Sequence, residues 1–230
     1  MSKPISNYYN TDKTAEAIQT GRHRAWVGGL WDEIGKLQAE FLRKQGLRPD
    51  MKLLDVGCGC FRGGVHLVEF LDAGCYYGMD ISQELLDTGY EKEIMPLGLG
   101  NKLPRGNLLC DGEFRAERLD TQFDIGMAQS VFTHLPNNHI KLCLTRLAPA
   151  FVPGGVFYAT AFICKDGEDW TQSIPRANNL IKTHPTEDPF HYELADLARL
   201  VEGSAWTFEY IGEWGHPRGQ TMLKFTRRGG

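Results

Sequence analysis

The chain predicts an α/β fold in which a mostly parallel sheet of seven strands carries helices on both faces and ends in one antiparallel strand. Two observations carry this expectation. Strand-like and helix-like segments alternate from residue 51 onward, an order that lays parallel strands beneath crossover helices. Between Ile211 and Thr221 there is room for a turn but not for a crossover helix, so the last two strands are expected to pair antiparallel. Composition fits a single domain. The 230 residues suffice for one core without staples, and 42% apolar with 23% charged residues is ordinary for a globular chain.

Residues 1–25 are polar and read as irregular, with Tyr8 and Tyr9 as a docking point. From Val27 the apolar positions Val27, Leu30, Trp31, Ile34, Leu37 and Phe41 follow helical spacing; Gly46 offers a left-handed cap and Pro49 blocks resumption. Met51 to Val56 is a short buried strand, followed by a helix carrying Val65, Leu67, Val68, Phe70 and Leu71. Cys75 to Met79 is the second strand, and Ser82 caps a helix carrying Leu85 and Leu86. Asn107 to Cys110 and Phe123 to Ala128 are the third and fourth strands. His139 to Phe151 has helical spacing, and Pro153-Gly154-Gly155 turns into the fifth strand, Val156 to Ile163. Residues 164–190 lack periodicity and read as a long loop on the substrate side. A helix over Tyr192 to Val201 precedes the strands Trp206 to Ile211 and Thr221 to Thr226. One domain over 1–230 thus divides into an N-terminal cover and helix (1–45), a ligand-binding core (50–163), the loop, and a final helix with a strand pair (191–230).

A net charge of −4 with scattered basic residues argues against a nucleic-acid partner, which needs a clustered basic surface. Met1 to Asn10 has no apolar core of the signal-peptide kind, and no apolar run approaches the ~18 residues of a membrane span. The expected address is the cytoplasm, with no membrane partner, as a monomer or homodimer. Cysteines 58, 60, 75, 110, 143 and 164 form no CxxC pair and are expected to be reduced and packed as small apolar residues.

Function turns on LLDVGCGCFRGG, residues 53–64, where the first strand meets a glycine loop. In an open parallel sheet, ligands bind beyond the carboxyl ends of the strands. Glycines there let the backbone approach a ligand and accept positive φ. A phosphate cradle requires GxxxxGK[ST], and no lysine or hydroxyl residue follows these glycines. A dinucleotide fingerprint requires GxGxxG, but counting from Gly57 the third position is Arg62. A zinc site built on Cys58 and Cys60 lacks a second ligand pair.

Leu53-Leu54-Asp55-Val56-Gly57-Cys58-Gly59 resembles the first motif of class I S-adenosylmethionine-dependent methyltransferases. Downstream, Tyr77-Gly78-Met79-Asp80-Ile81, Cys110-Asp111-Gly112, Phe123 to Ser130 and Pro153-Gly154-Gly155 resemble its later motifs, in order and at fitting intervals. The segments GCGCFRGGVHL, YYGMDIS and AQSVFTHLP are similar to a bacterial group of small methyltransferases of largely unassigned substrate. The resemblance spans roughly residues 30–226. It implies a Rossmann-like seven-stranded sheet with a reversed final strand, S-adenosylmethionine as cofactor and S-adenosylhomocysteine as product. It also implies cofactor contacts at Asp55, Gly57, Cys58, Gly59, Asp80, Ile81, Asp111, Gly112 and Gln129, with Asp80 facing the ribose hydroxyls and Asp111 near the adenine amino group.

The implied activity is methyl transfer to oxygen, nitrogen or sulfur of a small molecule. Catechol-type enzymes place metal-binding acids just after the fourth strand; Gln129-Ser130 stand there, so no metal is expected. Enzymes that methylate nucleic-acid amines carry an Asn/Asp-Pro-Pro-aromatic turn at the same place, which Met127-Ala128-Gln129-Ser130 does not resemble. His134, just past the fourth strand, is the candidate general base, against a purely structural histidine at the start of the next helix. His184, His191 and Tyr192 flank the end of the loop as candidate lid residues, and Tyr9 as part of an N-terminal cover. His216 and Arg218 lie in the turn between the last strands, on the ligand edge. Arg62 is read as an anchor for a carboxylate or for a helix terminus. The competing functions are a nicotinamide oxidoreductase, disfavoured by Arg62, a non-catalytic S-adenosylmethionine-binding module, and aminopropyl transfer, which would need a carboxylate where AQS offers none.

Overall fold

Strand β1 (Leu53–Val56) is buried along its whole length because helices cover both of its faces. The computed structural model describes Ser6 and residues 11–229. On one side β1 pairs in parallel with β2 (Tyr76–Asp80), and β2 with β3 (Leu108–Cys110). On the other it pairs in parallel with β4 (Phe123–Ala128), and β4 with β5 (Phe151–Ile163). The direction of strand addition therefore reverses between β1 and β4, the place where a ligand crevice opens in such sheets.

Two short strands, β6 (Ile174–Arg176) and β7 (Ile181–Thr183), form an antiparallel hairpin, and two-residue β8 (His191–Tyr192) pairs with the end of β5. Strand β9 (Trp206–Gly212) lies at the sheet edge, with β10 (Thr221–Arg227) antiparallel between it and β5. The main order is β3-β2-β1-β4-β5-β10-β9, seven strands with one reversed, and β8 makes an eighth. This agrees with the sheet expected from segment order and from the length of the last turn.

The helices are α1 (Thr11–Gln19), α2 (His23–Trp26), α3 (Trp31–Lys44), α4 (Gly64–Phe70), α5 (Gln83–Gly89), α6 (Asn137–Leu147) and α7 (Leu194–Leu200). Adjacent residues of β1 point to opposite faces, so Leu53 joins one apolar core with Leu42, Phe61 and Leu86, and Leu54 joins the other with Phe132, Phe157 and Trp206. Trp206 is fully buried, and its indole N–H donates to the Leu144 carbonyl at 2.7 Å, satisfying its single polar atom.

Four expectations are corrected. Residues 11–26 are not irregular but carry α1 and α2. The next helix starts at Trp31 rather than Val27, because Gly28, Gly29 and Leu30 all take positive φ and break the run. Pro153-Gly154-Gly155 lies inside β5 as a bulge, where register against β4 shifts between Phe123 and Ile125, and is not a turn before the strand. The 164–190 segment carries the β6–β7 hairpin instead of being structureless.

Candidate active site

Beyond the end of β1 the chain makes a floor of backbone. Gly57 and Gly59 hold φ of +70° and +55°, conformations that favour glycine. A side chain is excluded at both: a Cβ on Gly57 would lie 2.4 Å from Val131 Cγ2, and one on Gly59 2.9 Å from Val27 Cγ1. The amides of Gly57 and Cys58 donate to the Met79 carbonyl at 2.7 and 3.2 Å, which ties the loop to β2. Asp80 completes the tie, its carboxylate oxygens accepting from Gly59 N and Ser82 N at 2.8 and 2.9 Å. A carboxylate offers about four acceptor directions, so the three amides around it leave one open. Ser82 also caps α5, accepting from Leu85 N at 3.2 Å.

Burial raises the Asp80 carboxyl, with the amides of Ser82, Gly59 and Ile81 pulling the other way. Asp55, inside β1, is raised to about 6 by burial against the Tyr76 hydroxyl, which donates to it at 2.7 Å. Cys58 packs so tightly on β2 that a Cβ on Gly78 would sit 2.9 Å from its sulfur. Burial pushes both loop thiols up, Cys60 to about 12, so neither is a nucleophile near neutrality.

A cleft of about 1040 Å³ of atom-free space, part of it open to solvent, stands over this floor. Of the residues implied as cofactor contacts, Asp55, Gly57, Cys58, Gly59, Asp80, Ile81, Asp111 and Gln129 line it. Gly112 instead packs beside the Ile81 side chain. Asp111 lines the cleft but spends its carboxylate on its own loop, accepting from the amides of Glu113 and Arg115 and pairing with Arg115 and Arg118 at 2.8 and 3.0 Å. Burial alone would raise this carboxyl; the amides and guanidinium groups together outweigh it and hold it low.

One wall is a network that only the fold assembles. Gln129 accepts from Arg62 at 2.5 Å and from Gln38 at 3.3 Å, while its amide nitrogen reaches Ser130 Oγ at 2.6 Å and His216 Nε2 at 3.1 Å. Burial, with Arg62 and Arg218 nearby, lowers His216 to about 4, so it is a neutral acceptor behind the cleft wall. Arg62 and Arg218 donate to the carbonyls of Gly29 and Gly28 at 2.9 and 2.6 Å, which pins the N-terminal cover across the site. Val27 and Ser6 line the cleft from that cover. Its other anchor is buried Glu93, bound by His23 Nε2 at 2.7 Å and by the Arg24 guanidinium at 2.8 and 2.5 Å.

His134 also lines the cleft, on the short helical turn Phe132–His134, and its Nδ1 is hydrogen-bonded to the Asp188 carboxylate. Asp188 carries no local signal in the sequence, being one acid in an unpatterned stretch. The other loop candidates are not in the cleft wall. His184 binds Ser173 Oγ at 2.8 Å, and His191 spans Thr183 Oγ1 and the Trp170 carbonyl at 2.9 and 2.8 Å. Buried Tyr192 donates its hydroxyl to the carbonyls of Phe132 and Leu135. Tyr9 lies outside the described residues.

No protein-family model matches the chain. Among solved structures, magnesium protoporphyrin IX methyltransferase from Synechocystis PCC 6803, with bound S-adenosylmethionine, matches with a TM-score of 0.65 at 15% identity, over 99% of this chain and 100% of that one. CalS10, an amino pentose methyltransferase from Micromonospora echinaspora also bound to S-adenosylmethionine, gives 0.60 at 16% identity, over 93% and 96%. The [4+2]-cyclase SpnF gives 0.60 at 13% identity, over 84% and 80%. At such identities the likeness is one of fold: this chain has the fold of the class I S-adenosylmethionine-dependent methyltransferases.

Proposed function

We propose that the chain is an S-adenosylmethionine-dependent methyltransferase that acts on a small molecule and releases S-adenosylhomocysteine. The supporting observation is the closed glycine floor at the reversal point of the sheet. Side chains of Val131 and Val27 occupy the space that any Cβ at Gly57 or Gly59 would need, leaving bare backbone facing the cleft. Gly57, Cys58 and Gly59 would hold the cofactor through backbone, Asp80 through its remaining acceptor direction, and Ile81, Leu85 and Phe114 through apolar contact. When bound, that cofactor supplies a methyl group already activated on a sulfonium. The protein then has to align the acceptor, exclude water and take up a proton. His134 is proposed for the proton, and the cover pinned by Arg62 and Arg218 for water exclusion.

We propose that transfer needs no metal, because Gln129 and Ser130, where catechol-type enzymes carry acids, are spent on each other and on Gln220. The charge of −4 favours a small-molecule acceptor over nucleic acid, and the proposed setting is a cytoplasmic monomer or homodimer. Among the described residues no helix is long and apolar enough to cross a membrane. A nicotinamide oxidoreductase is disfavoured by Arg62, whose guanidinium sits inside the cleft wall where a third glycine would be required. Calorimetry with S-adenosylmethionine, S-adenosylhomocysteine and NAD separates the two. Binding of the first two and not of NAD is expected, whereas stabilisation by NAD alone would overturn the assignment.

A further inference from the structure

Asp188 has no place in the proposed cofactor site, yet much of the 164–192 segment is arranged to deliver it. The Phe190 amide donates to the Thr133 carbonyl at 2.7 Å, and Tyr192 donates to the carbonyls of Phe132 and Leu135. These bonds grip the turn that carries His134 from both ends. Behind them the His184 amide donates to the Pro189 carbonyl at 2.9 Å, and buried His191 ties β7 to the Trp170 backbone. The Asp188 side chain is 11% exposed and that of His134 23%, so the pair is partly withdrawn from water while His134 still faces the cleft. Glu187, 54% exposed, leans toward His184 at 3.9 Å.

We propose that Asp188 is the positioning residue for His134, and that the pair serves an acceptor whose nucleophile is a neutral hydroxyl. A carboxylate can only accept, so the shared proton lies on Nδ1 and the lone pair of the neutral ring on Nε2. The same carboxylate stabilises the imidazolium once a proton has been taken. A thiolate, a carboxylate or a neutral amine already carries the lone pair that attacks, but an alcohol or phenol near neutrality must lose its proton as it does so, which is the service this pair offers. In the balanced step, Nε2 takes the hydroxyl proton as the acceptor oxygen bonds to the methyl carbon. The electron pair of the broken carbon–sulfur bond stays on sulfur, and the proton later leaves His134 for water. The proposal rests on the methyltransferase assignment above.

Nitrogen-15 NMR of the wild-type protein, with and without S-adenosylhomocysteine, reads the His134 tautomer directly. The Nδ1–H form is expected in wild type and a mixture in Asp188→Asn, with binding of S-adenosylhomocysteine unchanged in both. A wild-type ring in the Nε2–H form overturns the proposal, and this spectrum does not depend on any variant folding. A panel of matched alcohols, phenols and thiols, with S-adenosylmethionine as donor, should yield methyl ethers. Asp188→Asn should lower kcat by about 10- to 100-fold with little change in KM and move the pH profile. Methylation confined to thiols, no methylation of any hydroxyl despite S-adenosylhomocysteine binding, or an Asp188→Asn enzyme with unchanged kcat and profile would each overturn it. Failure of S-adenosylhomocysteine to bind wild type would instead strike the assignment beneath, and the tautomer would still be read.

Discussion

Replacing Gly57 by alanine sets two costs on one methyl group. The first is conformational: φ is +70°, and an L side chain in the left-handed region costs about 1–2 kcal/mol. The second is steric, since the new Cβ would lie 2.4 Å from Val131 Cγ2, closer than real Cβ contacts come, and forced overpacking costs about 1–3 kcal/mol. Together they give about 2–5 kcal/mol, which in a domain of this size lowers Tm by about 4–20 °C. The two parts can be separated. Val131→Ala removes the methyl that stands in the way, so Gly57→Ala in that background should keep the conformational cost and lose the steric one. A double-mutant cycle from urea denaturation should therefore show about 1–3 kcal/mol of favourable coupling. Strictly additive costs would refute the claim that Val131 closes the space above Gly57. A Gly57→Ala protein as stable as wild type would refute both.

Four further outcomes follow from the charges around the cleft. Asp55 sits at about 6 in the fold against an ordinary 3.8, so the native state holds its proton more tightly and stability falls as pH rises through that window. Asp55→Asn should be more stable than wild type by up to about 3 kcal/mol above pH 6, with the gap shrinking toward pH 4 in chemical denaturation; a gap independent of pH would count against the buried proton. His216 shifts the other way, from 6.5 to about 4, so the unfolded chain takes up a proton that the native state refuses and stability is lost as pH falls between these values. His216→Gln should remove about 3 kcal/mol of that acid sensitivity, and an unchanged pH–stability curve would contradict a neutral buried ring. Glu93→Gln should loosen α2 by about 1–3 kcal/mol, read as faster proteolysis after Arg22 and Arg24; equal cleavage would show that the Glu93 clasp does not hold the cover. Asp80→Ala leaves the Gly59 and Ser82 amides without their acceptor and should weaken S-adenosylmethionine binding by about 1.5–3 kcal/mol in calorimetry, unchanged affinity removing Asp80 from the site.

What the sequence discloses and what it hides have physical causes. Strands β1 and β4 are legible because strands buried on both faces read as apolar runs, and the Phe123–Ala128 bounds come out unchanged. The Gly57–Gly59 floor is legible because its backbone demands a residue type. Helix α1 hides because it buries only Thr14 and Ala17, leaving no apolar stripe to count. The helical spacing from Val27 misleads for the opposite reason: apolar periodicity continues through Gly28 and Gly29, where the backbone turns left-handed and stops the helix. Strands β6 and β7, three residues each, are shorter than any alternation that could announce them.

The site divides along the same line. The glycine floor and Asp80 come from β1, β2 and the loops directly after them, where each residue is placed by its own strand and the local pattern suffices. The rest of the cleft wall is made of partners remote in sequence: Arg62 meets Gln129 across 67 positions, Gln129 meets His216 across 87, and His134 meets Asp188 across 54. No local pattern encodes such pairs, because each member is an ordinary polar residue until the sheet order brings β4, β5 and β10 side by side. His184, His191 and Tyr192 draw attention as chemically capable residues in an unpatterned loop, yet their polar atoms are spent on backbone and hydroxyl partners that hold the loop against the Phe132–His134 turn. The aspartate held there, less conspicuous in the sequence, is the one that reaches the cleft histidine.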